Sequence, residues 1–68
     1  IDGINLGTNS DNCIFTGNVI ELQAGTPSYA VNIVNTTSER NVIVGNYLSA
    51  NTADTNDGGA STIIGNNS

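Results

Sequence analysis

Apolar residues in this chain come in short runs, each followed by a polar corner. Three stretches repeat the pattern: NCIFTGN at 12–18, NVIVGN at 41–46 and STIIGN at 61–66. The runs are β-branched and too brief for an amphipathic helix, and Asn, Gly, Ser and Thr interrupt every longer window. They predict strands over about 12–16, 19–23, 29–35, 41–44, 46–49 and 61–64. Gly-Asn at 17–18, 45–46 and 65–66 predicts the corners, because both residues tolerate left-handed backbone.

INLGTNSDNCIF at 4–15 overlays IVNTTSERNVIV at 33–44 with an offset of 29, setting Ile14 on Ile43 and Phe15 on Val44. Gly-Asn to Gly-Asn is 28 residues the first time and 20 the second. The surplus is expected in QAGTPS at 23–28, where Gly25 and Pro27 mark an excursion. A repeat of this length built from strands and tight turns signals a solenoid. The expected fold is all-β, a short right-handed parallel β-helix of about three coils, with 1–68 a single segment of a larger chain. Alternation places Cys13, Val42 and Thr62 in one inward row, Phe15, Val44 and Ile64 in another, and Ile20 and Leu48 inward after the corner. Asn18, Asn46 and Asn66 are expected to stack as an amide ladder.

Ile14, Ile43 and Ile63 then point outward. Leaving them in water forgoes about 1.5–3 kcal/mol of burial each. Two readings follow. Either the register is reversed and these three form the core, or the stripe is buried against other chains, as in a homotrimer of side-by-side solenoids.

Size sharpens the second reading. A 68-residue chain is marginal without a staple, and Cys13 is its only cysteine. There is no histidine to complete a zinc site. Arg40 stands alone against six carboxylates, for a formal charge of −5, which argues against nucleic-acid and anionic-membrane partners. No apolar run approaches the roughly 20 residues of a membrane-spanning helix.

NVIVGNYLS and NCIFTGNVIEL resemble the coil repeat of the pectin-lyase-like right-handed parallel β-helix, over about half of the chain. Within that superfamily the lysine-free composition resembles bacteriophage tailspikes and pre-neck appendages. The resemblance implies a homotrimer on a virion, attached to host surface polysaccharide and in some members cleaving it. Some members are also processed after a serine, which gives Ser68 either that role or none. Two alternatives stay open: a fragment of a polysaccharide hydrolase or lyase, and a bacterial surface adhesin outside the virion.

Glycoside hydrolysis needs paired carboxylates about 5–9.5 Å apart. Asp11, Glu21, Glu39, Asp54 and Asp57 are the candidates. The overlay makes Asp11 and Arg40 neighbours, which favours a surface ion pair over a catalytic dyad. DTNDGG at 54–59 fails the EF-hand pattern, since Gly58 and Gly65 occupy its fifth and twelfth positions, and is expected to be a solvated turn. Cys13 is expected to be a small core residue. Asn35-Thr36-Thr37 matches the glycosylation pattern, which matters only in a eukaryotic secretory route. Tyr29 and Tyr47 are candidates for packing on loop backbone, a subunit contact or a sugar ring. No catalytic, metal or cofactor residue is assigned.

Overall fold

A computed structural model describes residues 2–68. They form eight strands: β1 (Asp2–Leu6), β2 (Ile14–Phe15), β3 (Val19–Glu21), β4 (Tyr29–Ile33), β5 (Val42–Val44), β6 (Tyr47–Ser49), β7 (Ala53–Asp57) and β8 (Ile63–Gly65). No helix occurs among the described residues. The sheets run β1-β4-β7, β2-β5-β8 and β3-β6, and every pairing is parallel. The chain therefore visits the same three sheets in the same order, adding one strand to each per pass. The third sheet begins its next layer at Ser68, whose N–H donates to the Asn46 carbonyl at 2.7 Å and whose carbonyl accepts from Leu48 N–H at 2.7 Å.

Two strands, β1 and β7, were not expected. β1 (DGINL) lacks an apolar run, and β7 (ADTND) lies in the stretch read as a solvated turn. β7 is held by its register on β4, Val31↔Thr55 and Ile33↔Asp57, not by its own apolar content.

The register also corrects the overlay. Phe15 pairs with Ile43, an offset of 28, and Ile43 pairs with Ile64, an offset of 21. The inward row of the second sheet is thus Phe15, Ile43 and Ile64, and the outward row is Ile14, Val42 and Ile63. Ile43 is fully buried, so it belongs to the core and not to the outward stripe. Val42 and Val44, placed inward by the overlay, lie on the outer face. Cys13 falls in line with Asn41 and Thr62. Ile20 and Leu48 share a row as expected, with Leu48 buried.

The reason is the corner. Gly17, Gly45 and Asn66 take left-handed φ of 72°, 75° and 51°. These three stack, so the ladder residue after them is Asn18, Asn46 and then Asn67, not Asn66. Asn18 Nδ2 donates to Asn46 Oδ1 at 3.0 Å, and Asn46 Nδ2 donates to Asn67 Oδ1 at 3.1 Å. A second left-handed row, Asn12, Arg40 and Ser61 with φ of 57°, 56° and 54°, turns the chain into the second sheet. Arg40 and Ser61 carry a cost of about 1–2 kcal/mol each there, whereas Asn12 tolerates the conformation.

Spacing between passes shrinks in two places. The link from β3 to β4 spans 22–28 where β6 to β7 needs only 50–52, in keeping with an excursion near Gly25 and Pro27. The rest is lost between 34–41 and its shorter counterpart 58–62.

Leu6, Ala30, Val31, Ile33, Ile43 and Leu48 form the buried core, with Ile4, Phe15, Ile20 and Ala50 packed against it. Four of the six belong to β4 and β5, and Leu48 to β6, so the core sits in the middle pass. Buried polar groups bind passes together: Asn41 accepts from Cys13 N–H at 2.9 Å and donates to the Ser10 carbonyl at 2.8 Å. Ser38 accepts from Ser10 N–H and donates to the Gly7 carbonyl. Among the described residues no buried side-chain polar atom lacks a partner.

Candidate interaction surface

The outer face of β2-β5-β8 is a flat apolar strip. Side chains alternate across a strand, so once Phe15 and Ile43 are inside, Ile14, Val42 and Ile63 must face out. Ile14 is 70% exposed and Ile63 60%, with Val42 half-buried between them. Thr16, Val44 and Gly65 complete the strip one alternation later. Past the left-handed corner, Val19 at 77% and Tyr47 at 50% exposure stand side by side on β3 and β6. The corner carries a shallow groove of ≈ 340 Å³ walled by Val19, Tyr47, Asn66 and Ser68, with Gly17 and Gly45 at its floor and no charged side chain in its lining. Within the ladder Asn18 Nδ2 donates to Asn46 Oδ1, and the Asn46 amide is engaged at both ends, by Asn18 and by Asn67 and the Phe15 carbonyl.

The carboxylates are dispersed and committed. Asp11 stacks on Glu39, not on Arg40, and its Oδ1 accepts from Glu39 N–H at 2.8 Å. Arg40 instead bridges Glu39 Oε2 at 2.7 Å and donates from Nε to Asn12 Oδ1 at 3.0 Å. Both members of the Arg40–Glu39 pair are about half exposed, so it contributes about 0–1 kcal/mol. Glu21 lies exposed on β3. Asp54 accepts from Ala50 N–H, and Asp57 Oδ1 accepts from Gly59 N–H at 2.9 Å and Thr62 Oγ1 at 3.0 Å. Among the described residues no three His, Cys, Asp or Glu converge as metal ligands. Cys13 is half-buried, its thiol 3.6 Å from the Asp11 carbonyl. Tyr29 is half-buried on β4 between Asp2 and Ala53. Thr37 donates to Asn35 Oδ1 from its N–H and hydroxyl, closing that turn on itself.

Sequence reasoning passed over Asp2. Its carboxylate accepts from Asn5 Nδ2 at 2.7 Å and Asn32 Nδ2 at 3.1 Å, while Asn32 Oδ1 accepts from Asn56 Nδ2 at 2.9 Å. These bonds, Asn5 first and Asn32 second, hold the Asp2 carboxyl below the usual carboxylate range. The clue was present as three Asn spaced 27 and 24 apart on β1, β4 and β7.

No helix among the described residues is long and apolar enough to cross a membrane. No family model, curated protein or solved structure matches this chain.

Proposed function

We propose that this chain is a structural segment: a short right-handed parallel β-helix of about three coils whose outer apolar strip packs against other copies, as in the homotrimeric tailspikes and appendages its repeats resemble. The observation that carries this is the outward row Ile14, Val42 and Ile63, with Val44 beside it. Val42 takes the place first given to Ile43. In that role the protein belongs on a virion, with host-surface polysaccharide as the ligand of the assembly.

The molecule's Cα extents are 28 × 23 × 12 Å, and three stacked strands account for the short one. A side face is therefore roughly 300 Å² in outline, against about 800 Å² per partner in a standard stable interface. Lateral affinity should consequently be weak for three coils and grow with the number of coils. A polysaccharide-cleaving reading draws only on the Asp11–Glu39 juxtaposition, and both groups are already engaged, by Glu39 N–H and by Arg40.

Sedimentation equilibrium over a wide concentration range tests the proposal. The expected result is a weak monomer–trimer equilibrium that Ile63→Asp abolishes without loss of strand content by circular dichroism. Association indifferent to Ile63→Asp, or none at any concentration, contradicts it.

A further inference from the structure

A closed ring of three copies is built from unlike contacts, in which one patch of each chain meets a different patch of the next. The strip on β2-β5-β8 therefore needs a mate elsewhere on the same chain. Among the described residues, the exposed large hydrophobics outside the strip are Val19, Val34, Tyr47 and Ile64. Ile64 belongs to the inward row, in line with Ile43. Val34 stands alone, since Gly7 and Gly58 hold the neighbouring places in its row. Val19 and Tyr47 remain, side by side on β3 and β6 just past the left-handed corner. Tyr47 lies in the middle pass, with Val19 on one side and Ser68 on the other. It is exposed because it faces outward, not because a layer is missing above or below it.

We infer, on the reading of this chain as a trimer, that Val19 and Tyr47 form the socket for the next copy's strip. Each chain then uses the two faces that flank the Gly17–Gly45 corner. Shape supports the match. The groove of ≈ 340 Å³ beside Val19 and Tyr47 spans all three passes, from Gly17 through Gly45 to Asn66. Ile14, Val42 and Ile63 stack along the same direction as a ridge on the adjacent face. In solenoids standing side by side about a threefold axis, equal passes lie level. Val42 and Val44 of one copy are thereby set opposite Tyr47 of the next. Charge agrees, because neither the strip nor the groove carries a charged side chain. Glu21 and Ser49 mark the far edge of the socket face, where the exposed carboxylate stays in water. Area agrees too: a ring gives each chain two contacts, or roughly 600 Å² of outline, where a single side face offers roughly 300 Å².

Sedimentation equilibrium and a mixing experiment decide it. At a concentration where the wild-type chain is half trimer, Tyr47→Asp should be monomeric, with its strand content intact by circular dichroism. Val19→Asp should weaken association in the same direction, and takes its place in both experiments should Tyr47→Asp not fold. Tyr47→Asp keeps its strip and Ile63→Asp keeps its socket, so the two variants, each monomeric alone, should bind one another. In that mixture, isotope-labelled Tyr47→Asp should show amide shifts at Ile14, Val42 and Ile63 and none at Val19. A Tyr47→Asp chain that trimerises like wild type, while Ile63→Asp does not, overturns the socket and leaves the trimer standing. Two folded, monomeric variants that do not bind when mixed overturn the socket as well. A wild-type chain that is monomeric at every concentration overturns both the socket and the trimer.

Discussion

β4 and β7 occupy adjacent places in one sheet and have opposite chemistry. β4 reads YAVNI and buries Ala30, Val31 and Ile33, whereas β7 reads ADTND and none of its five residues is fully buried. Both nevertheless take the same parallel register, down to the Asn32–Asn56 amide bond. Apolar content therefore does not set where a strand lies here. Corners, buried amides and backbone pairing set the register, and apolar side chains supply the free energy where a row is covered on both sides.

The largest way to break the comparison is to empty the covered row. Ile33→Ala should destabilise the fold by about 2–5 kcal/mol in urea titration, enough to unfold so small a chain, whereas Thr55→Ala should change little. Removing the amide that bridges two passes comes next. Asn46→Ala removes the side-chain partner of Asn18 N–H, the Phe15 carbonyl and Asn67 Oδ1 and leaves Asn18 Nδ2 only its bond to the Thr16 carbonyl, at a cost of about 1–3 kcal/mol by thermal melt. Gly45→Ala forces a side chain into a φ of 75° beside Thr16 Oγ1, and should cost about 1–2 kcal/mol.

Such sites show what was legible in the sequence. Strand-and-corner punctuation was, because short β-branched runs admit little else, and six of the eight strands were expected close to their places. The offset was misread because similar aliphatics, Ile14 on Ile43, were matched in preference to the corner glycines. The spacing of 28 between Gly17 and Gly45 already matched the true register of the second sheet. The third corner misled differently: Gly65 looks like the left-handed residue, but Asn66 adopts that conformation and passes the ladder to Asn67. Left-handed Arg40 and Ser61 had no compositional signal at all. β7 was invisible because a strand held by its neighbour's register needs no apolar pattern of its own. Of the candidate surface, Ile14 and Ile63 were readable from alternation, and Val42 became so only with the register.

The smallest effect concerns the column that ends on Asp2. Its folded-state carboxyl titrates below the ordinary range, so its contribution is present above the unfolded carboxylate range and is lost as pH falls through the depressed folded value. Wild-type melting temperature should therefore fall in acid slightly more than that of Asp2→Asn, which keeps an acceptor without the titration. Equal slopes for the two proteins would show that the Asn5 and Asn32 bonds do not favour the charged form.

The most direct test of the register is a pair of neighbouring substitutions, Val42→Asp and Ile43→Asp, compared by urea unfolding. Val42 lies on the outer face and Ile43 is fully buried. Val42→Asp should leave a folded chain with a cooperative transition, and Ile43→Asp should abolish it. A folded Ile43→Asp beside an unfolded Val42→Asp would mean that the rows run the other way, and that the strip offered as the interaction surface is the core.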